Sequence, residues 1–96
     1  MALYLIRRSL GRATQEDLDG ASIRALSCLY NYDGLRWLTS YWNEPSGQIY
    51  CIYEAQNEQQ ILEHSAQARL PCDEITLVQQ VIPEEYAPQI ATRVNA

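Results

Sequence analysis

Two residue types are missing altogether from these 96 residues: there is no lysine and no phenylalanine. Without lysine there is no Schiff-base amine and no phosphate-loop lysine. Histidine occurs once, at His64, so no paired-histidine metal site can form inside one chain. Positive charge is also scarce. The formal net charge is −5, and even residues 1–36 set only five arginines against four acids. Neutralising phosphates needs a basic face, so this balance argues against nucleic acid as the main partner.

Cysteine is sparse too. Cys28, Cys51 and Cys72 form no C-x-x-C pair, and three are too few for a disulfide scaffold. Long apolar runs are absent as well. Ala2–Ile6 stops at Arg7-Arg8, short of a secretory signal core and far below the roughly 20 residues of a membrane span. These absences together predict a cytoplasmic protein with reduced thiols and no membrane partner.

What is present alternates between strand and helix patterns. Leu3, Tyr4, Leu5 and Ile6 are consecutive and apolar, a strand with both faces to be covered. Thr14 with Asp17 reads as a capping box opening a helix, in which Leu18, Ala21, Ala25, Leu26 and Leu29 form the inward stripe and Asp33-Gly34 the stop. Leu35 to Trp42 is a strand. Strict alternation sends Leu35, Trp37, Thr39 and Tyr41 one way and Arg36, Leu38, Ser40 and Trp42 the other. A turn at residues 43–47 leads into a second strand, Gln48 to Glu54, as an antiparallel hairpin. Asn57 with Gln60 caps a second helix, with Ile61, Leu62, Ser65 and Ala68 inward and Leu70-Pro71 as its close. Glu74 to Ile82 is the last strand. The chain therefore predicts one ferredoxin-like βαββαβ domain over residues 1–83, of α+β class, with an irregular tail over 84–96. A four-stranded antiparallel sheet would carry both helices on one face. The strands hold large apolar groups on both sides, so the second face calls for cover, and a second copy of the chain is the simplest cover. A homodimer packed through the sheets is expected.

The residues that could carry chemistry are few. His64 falls by turn count at the edge of the inward stripe, as a boundary histidine or a metal ligand. Cys51 lies mid-strand on one face with Tyr53, while Tyr50, Ile52 and Glu54 take the other. Cys51 and Glu54 therefore cannot both ligate one ion across a flat strand. Arg36 and Ser40 share a face, where they could hold an anion. Arg7-Arg8 is too short for a nucleic-acid or lipid site.

Several segments occur together and in order: Leu3-Tyr4-Leu5-Ile6-Arg7-Arg8, Arg36-Trp37-Leu38-Thr39-Ser40-Tyr41, Tyr50-Cys51-Ile52-Tyr53-Glu54-Ala55, Glu63-His64-Ser65-Ala66 and Leu70-Pro71. In this the chain resembles, over about residues 3–83, a small bacterial family of unknown function whose described representative is a nickel-binding protein with a ferredoxin-like, dimeric α+β barrel fold. It departs from the family pattern at Ala68-Arg69-Leu70-Pro71, where a glycine usually precedes the Leu-Pro turn. The resemblance implies a non-catalytic homodimer binding nickel or another divalent transition metal, and the residues that would carry the metal over are His64, Cys51 and Glu54. The competing expectation is a small-molecule-binding or cofactor-free catalytic barrel, monooxygenase- or isomerase-like. Its pocket would be drawn from Arg36, Trp37, Ser40, Tyr50 and Tyr53, with Arg36 or His64 at the polar end of the ligand.

Overall fold

A computed structural model describes residues 1–90. Its elements run β1 (Ala2–Ser9), α1 (Gln15–Leu29), β2 (Arg36–Asn43), β3 (Gln48–Ala55), α2 (Glu58–Gln67) and β4 (Glu74–Val78), followed by a 3₁₀ turn at Pro83–Tyr86. The strands form one antiparallel sheet in the order β2-β3-β1-β4, the ferredoxin-like arrangement expected of the sequence. No helix among the described residues is long and apolar enough to cross a membrane.

Both helices start where their capping chemistry dictates. Thr14 Oγ1 accepts from Asp17 N while the Asp17 carboxylate accepts from Thr14 N, and Asn57 Oδ1 accepts from Gln60 N. The helix ends differ from expectation. α1 stops at Leu29, several residues before Asp33-Gly34, and Gly34 instead turns the chain into β2 with a positive φ of 78°. α2 ends in a Schellman motif, in which Leu70 N–H donates to Ser65 O at 2.8 Å and Arg69 N–H to Ala66 O at 3.1 Å. Its left-handed position is held by Arg69 at φ 57°, immediately before Leu70-Pro71.

Strict alternation fails in β2. The register with β3 shifts between Trp37 and Thr39, leaving Leu38 as an extra bulged residue. The shift reverses the phase of everything after it. Trp37, Ser40 and Trp42 stand opposite Tyr53, Cys51 and Ile49 on the helix-covered face, while Arg36, Thr39 and Tyr41 stand opposite Glu54, Ile52 and Tyr50 on the open face. Arg36 and Ser40 are thus on opposite faces, contrary to the sequence reading. β4 is also shorter than expected. Val78 pairs with Leu3, one residue from the start of β1, and the pairing of the two strands ends there. The chain beyond Ile82 is helical rather than irregular through residue 90, because Pro83 starts a turn whose fixed φ suits a first helical position. The rest of the expected tail lies outside the described residues.

The core sits between the covered face and the helices. Tyr4, Ile6, Leu35, Ile49, Cys51, Tyr53, Ala55 and Ile61 form one buried cluster, with Leu18, Leu29 and Tyr32 packed against it. Two residues expected in the inward stripes, Leu26 and Leu62, are exposed, whereas His64 is fully buried rather than at the edge. The inward stripe of α2 is Ile61, His64, Ser65 and Ala68, the i, i+3, i+4, i+7 spacing of a helix face.

Candidate functional site

The polar chemistry of the molecule gathers on the covered face, around two buried groups supplied by β1 and α2. Arg8 follows Tyr4 and Ile6 at the strand period of two, so its side chain enters the core with theirs and is only 2 % exposed. One of its terminal nitrogens, Nη1, donates to Ser65 Oγ at 2.9 Å and to the Pro71 carbonyl at 2.8 Å. Its Nε and Nη2 are buried and have no hydrogen-bond partner, and no carboxylate pairs with it among the described residues. The guanidinium carbon lies 5.8 Å from the centre of the Tyr53 ring.

His64 is the second group. Its Nε2 lies 2.8 Å from the Ala25 carbonyl of α1, which can only accept, so Nε2 carries the proton and Nδ1 the lone pair. That Nδ1 is buried and unpartnered. The ring is held edge-on to Tyr32 and tilted against Tyr53, with both centroids at 5.7 Å. Burial holds its pKa below the ordinary histidine value. The hydrogen bond to Ala25 pulls the other way, and the Arg8 charge adds to the lowering, so the ring is neutral near pH 7. Burial likewise pushes the Tyr53 phenol up to about 12 against the opposing pull of Arg8, so it stays protonated.

The structure separates the residues singled out from the sequence. Cys51 and Tyr53 share the covered face with His64, and Trp37 stacks on Tyr53 with a centroid separation of 6.1 Å. Ser40 is tied to Trp37, accepting from the indole Nε1 at 2.8 Å. Glu54, Arg36 and Tyr50 lie on the other face, where Arg36 and Glu54 form an ion pair at 3.2 Å. A narrow cavity of about 20 Å³ opens beneath α1, walled by Arg8, Leu18, Ala21, Cys51, Tyr53 and Trp37 among others. Arg8 is the residue that sequence reasoning set aside. Its signal was present in its phase with Tyr4 and Ile6 on a strand read as buried on both faces.

A family model described as nickel responsive protein, SCO4226-like, matches residues 4–78. The chain belongs to that family. Solved structures share its fold, two of which follow. The crystal structure of SCO4226 from Streptomyces coelicolor A3(2) superposes with a TM-score of 0.75 at 21% identity, over 84% of this chain and all of that one. Protein Atu4242 from Agrobacterium tumefaciens gives a TM-score of 0.54 at 11% identity, over 84% of this chain and 94% of that one. At such identities the likeness establishes the fold alone. No curated protein matches.

The family name implies nickel, and the donor set can be tested against it. Among the described residues, no three His, Cys, Asp or Glu side chains stand close enough to hold one ion. Glu54 is excluded from a common site with His64 and Cys51 by the sheet between them. His64 by itself has the form of a metal-ligating imidazole, with one nitrogen donating to a backbone carbonyl and the other left with a free lone pair. The trio therefore does not fit one ion; His64 fits as a single donor.

Proposed function

We propose that this member of the nickel responsive family is a cytoplasmic homodimer, not an enzyme, that binds a nickel-like divalent ion with His64 as its donor. One observation carries the reading: His64 is neutral and oriented by the Ala25 carbonyl, and it keeps a buried lone pair on Nδ1 that no protein group uses. Of the other two residues that the family resemblance implies, Cys51 lies on the same side of the sheet as His64. Glu54 does not, and plays no part in this site. Imidazole and thiolate suit nickel, and the affinity order of such donors would favour copper still more. The open face supports the dimer. Leu3, Leu5, Tyr41, Tyr50, Ile52 and Val78 stand there on the face opposite α1 and α2, and a second copy of the same face is their simplest cover.

Equilibrium dialysis of tag-free protein against nickel tests the ion site, with His64→Gln, Cys51→Ser and Glu54→Gln compared at matched circular dichroism. Saturable binding that is lost in His64→Gln, weakened in Cys51→Ser and unchanged in Glu54→Gln is expected. Binding that fails to saturate, or that survives His64→Gln, overturns the reading. Light scattering of the same samples is expected to give twice the 11.0 kDa chain mass.

A further inference from the structure

From Gln79 to Ile90 every residue except Ile82 is exposed. The chain measures 55 × 33 × 19 Å with a radius of gyration of 16.7 Å, against about 12–13 Å for a compact domain of this length. The segment after β4 is therefore an arm that stands off the body. The match to the family ends at residue 78, so the arm lies beyond the part that the family model describes. One side of it is apolar. Ile82, Tyr86 and Ile90 recur every four residues along the helical stretch, while Glu84, Glu85 and Gln89 fall off that stripe. Tyr86 is 49 % exposed, Ile90 60 % and Val81, just ahead of them, 70 %. A helix of so few turns is marginal in water by itself, and it gains stability by burying such a stripe.

A surface that can receive the stripe lies on the open face. Leu38 and Tyr41 of β2 are 42 % and 66 % exposed, and with Leu5 and Ile52 they line a groove of about 380 Å³. Gln79 and Gln80, the root of the arm, line the same groove, so arm and open face form one continuous surface. The area available decides the occupant. Four strands about 4.8 Å apart, five to eight residues long at about 3.4 Å per residue, make a face of roughly 300–500 Å². A stable interface takes about 800 Å² from each partner. The sheet face alone falls short of joining two copies, and the arm adds three large apolar side chains to it. A second copy brings both missing parts at once, a groove for this arm and an arm for this groove. Glu84 and Glu85 in the first turn of the arm, and the net charge of −5, set it against an anionic lipid surface.

We propose that the arm of residues 79–90 crosses to a second copy of the chain and lays Val81, Tyr86 and Ile90 along the partner's β2, against Leu38 and Tyr41 there, while the partner's arm does the same in return. A two-fold axis along the strands gives this exchange, because β2 and β4 are the two edges of the sheet and such an axis sets the β4 edge of one copy over the β2 edge of the other. The proposal rests on the homodimer reading and adds to it the segment that clasps the two copies.

Tyr86→Ser combined with Ile90→Ser tests this, since both side chains are exposed in the protomer and their loss leaves its core untouched. Sedimentation equilibrium is expected to show the dimer dissociation constant raised at least tenfold, with unchanged circular dichroism. In dimers mixed from isotope-labelled and unlabelled wild-type chains, nuclear Overhauser contacts from Tyr86 of one copy to Leu38 or Tyr41 of the other are expected. An unchanged dissociation constant in the double variant overturns the proposal and leaves a dimer joined by the sheets alone. Contacts of Tyr86 with Leu38 or Tyr41 of its own copy, absent across copies, overturn it in favour of an arm that folds back. A wild type that stays at 11.0 kDa up to millimolar concentration overturns the arm exchange and the homodimer together.

Discussion

The two faces of this sheet are built from the same strands, residue by residue in alternation, and differ in what happens to charge. On the covered face Arg8 and His64 are buried among Tyr4, Ile6, Ile49 and Tyr53, each oriented by one set of protein partners and each left with an unused polar edge. On the open face the charged groups pair with one another. Arg36 meets Glu54 at 3.2 Å, and Arg7 lies 3.8 Å from Glu74, leaving the apolar residues between them uncovered. The covered face thus holds polar chemistry in excess of what the chain satisfies, and the open face holds apolar surface in excess of what the chain covers.

The largest test of this contrast is a pair of truncations at neighbouring positions of β1. Ile6 is fully buried, so Ile6→Ala is expected to cost about 2–5 kcal/mol in urea unfolding, whatever the protein concentration. Leu5 points to the open face. With a second copy covering that face, Leu5→Ala weakens the dimer, and its loss of thermal stability grows as the protein is diluted. A Leu5→Ala penalty that is the same at every concentration breaks the comparison, because it would mean that the open face has no partner in solution.

A second test uses pH and acts on the covered face alone. The pKa of His64 is lowered in the fold from its ordinary 6.5 by burial and by Arg8. The unfolded chain therefore takes up a proton at a higher pH than the folded one, and stability rises with pH wherever that difference exists. The contribution is complete above pH 6.5 and is lost as pH falls from there toward the folded value. Unfolding midpoints measured from pH 7.5 downward should drop below pH 6.5 in the wild type and flatten in His64→Gln. An unchanged slope in His64→Gln places the titration elsewhere.

Much of this contrast was legible from the residues, and the exceptions have local causes. The element order, both N-caps and the division of β3 into a Cys51–Tyr53 face and a Tyr50–Glu54 face follow from periodicity and capping, which depend on neighbours a few residues apart. The bulge at Leu38 depends on how β2 meets β3, a long-range matter with no local sign, and one extra residue reversed the faces of Ser40 and Arg36. The burial of His64 was missed because counting the apolar Leu62 into the inward stripe of α2 turns the centre of that stripe away from His64, whereas Leu62 is exposed and the stripe is Ile61, His64, Ser65 and Ala68. Arg8 was missed for a different reason. A charged residue at a strand end is ordinarily solvated, and its phase with Tyr4 and Ile6 was outweighed by its charge.

The smallest expected effect compares two arginines directly. Arg36 is exposed and its pair with Glu54 is open to solvent and screened by salt, so Glu54→Gln in the protomer should change stability by about 0.2–1 kcal/mol, and by less at high salt. Arg36 and Glu54 also sit where β2 and β3 begin and end, toward the rim of the open face rather than beside Leu5 and Ile52. In a dimer joined through the middle of that face the pair stays at the wet edge, and the small value holds for the assembled protein as well. A salt-insensitive loss well above 1 kcal/mol would instead show the pair to be covered, because removing one member then strands a buried charge. Measuring Glu54→Gln at low and high salt over a range of protein concentrations therefore tests whether the proposed interface reaches this pair. It also tests whether the separation of paired charge outside from unpaired charge inside survives assembly.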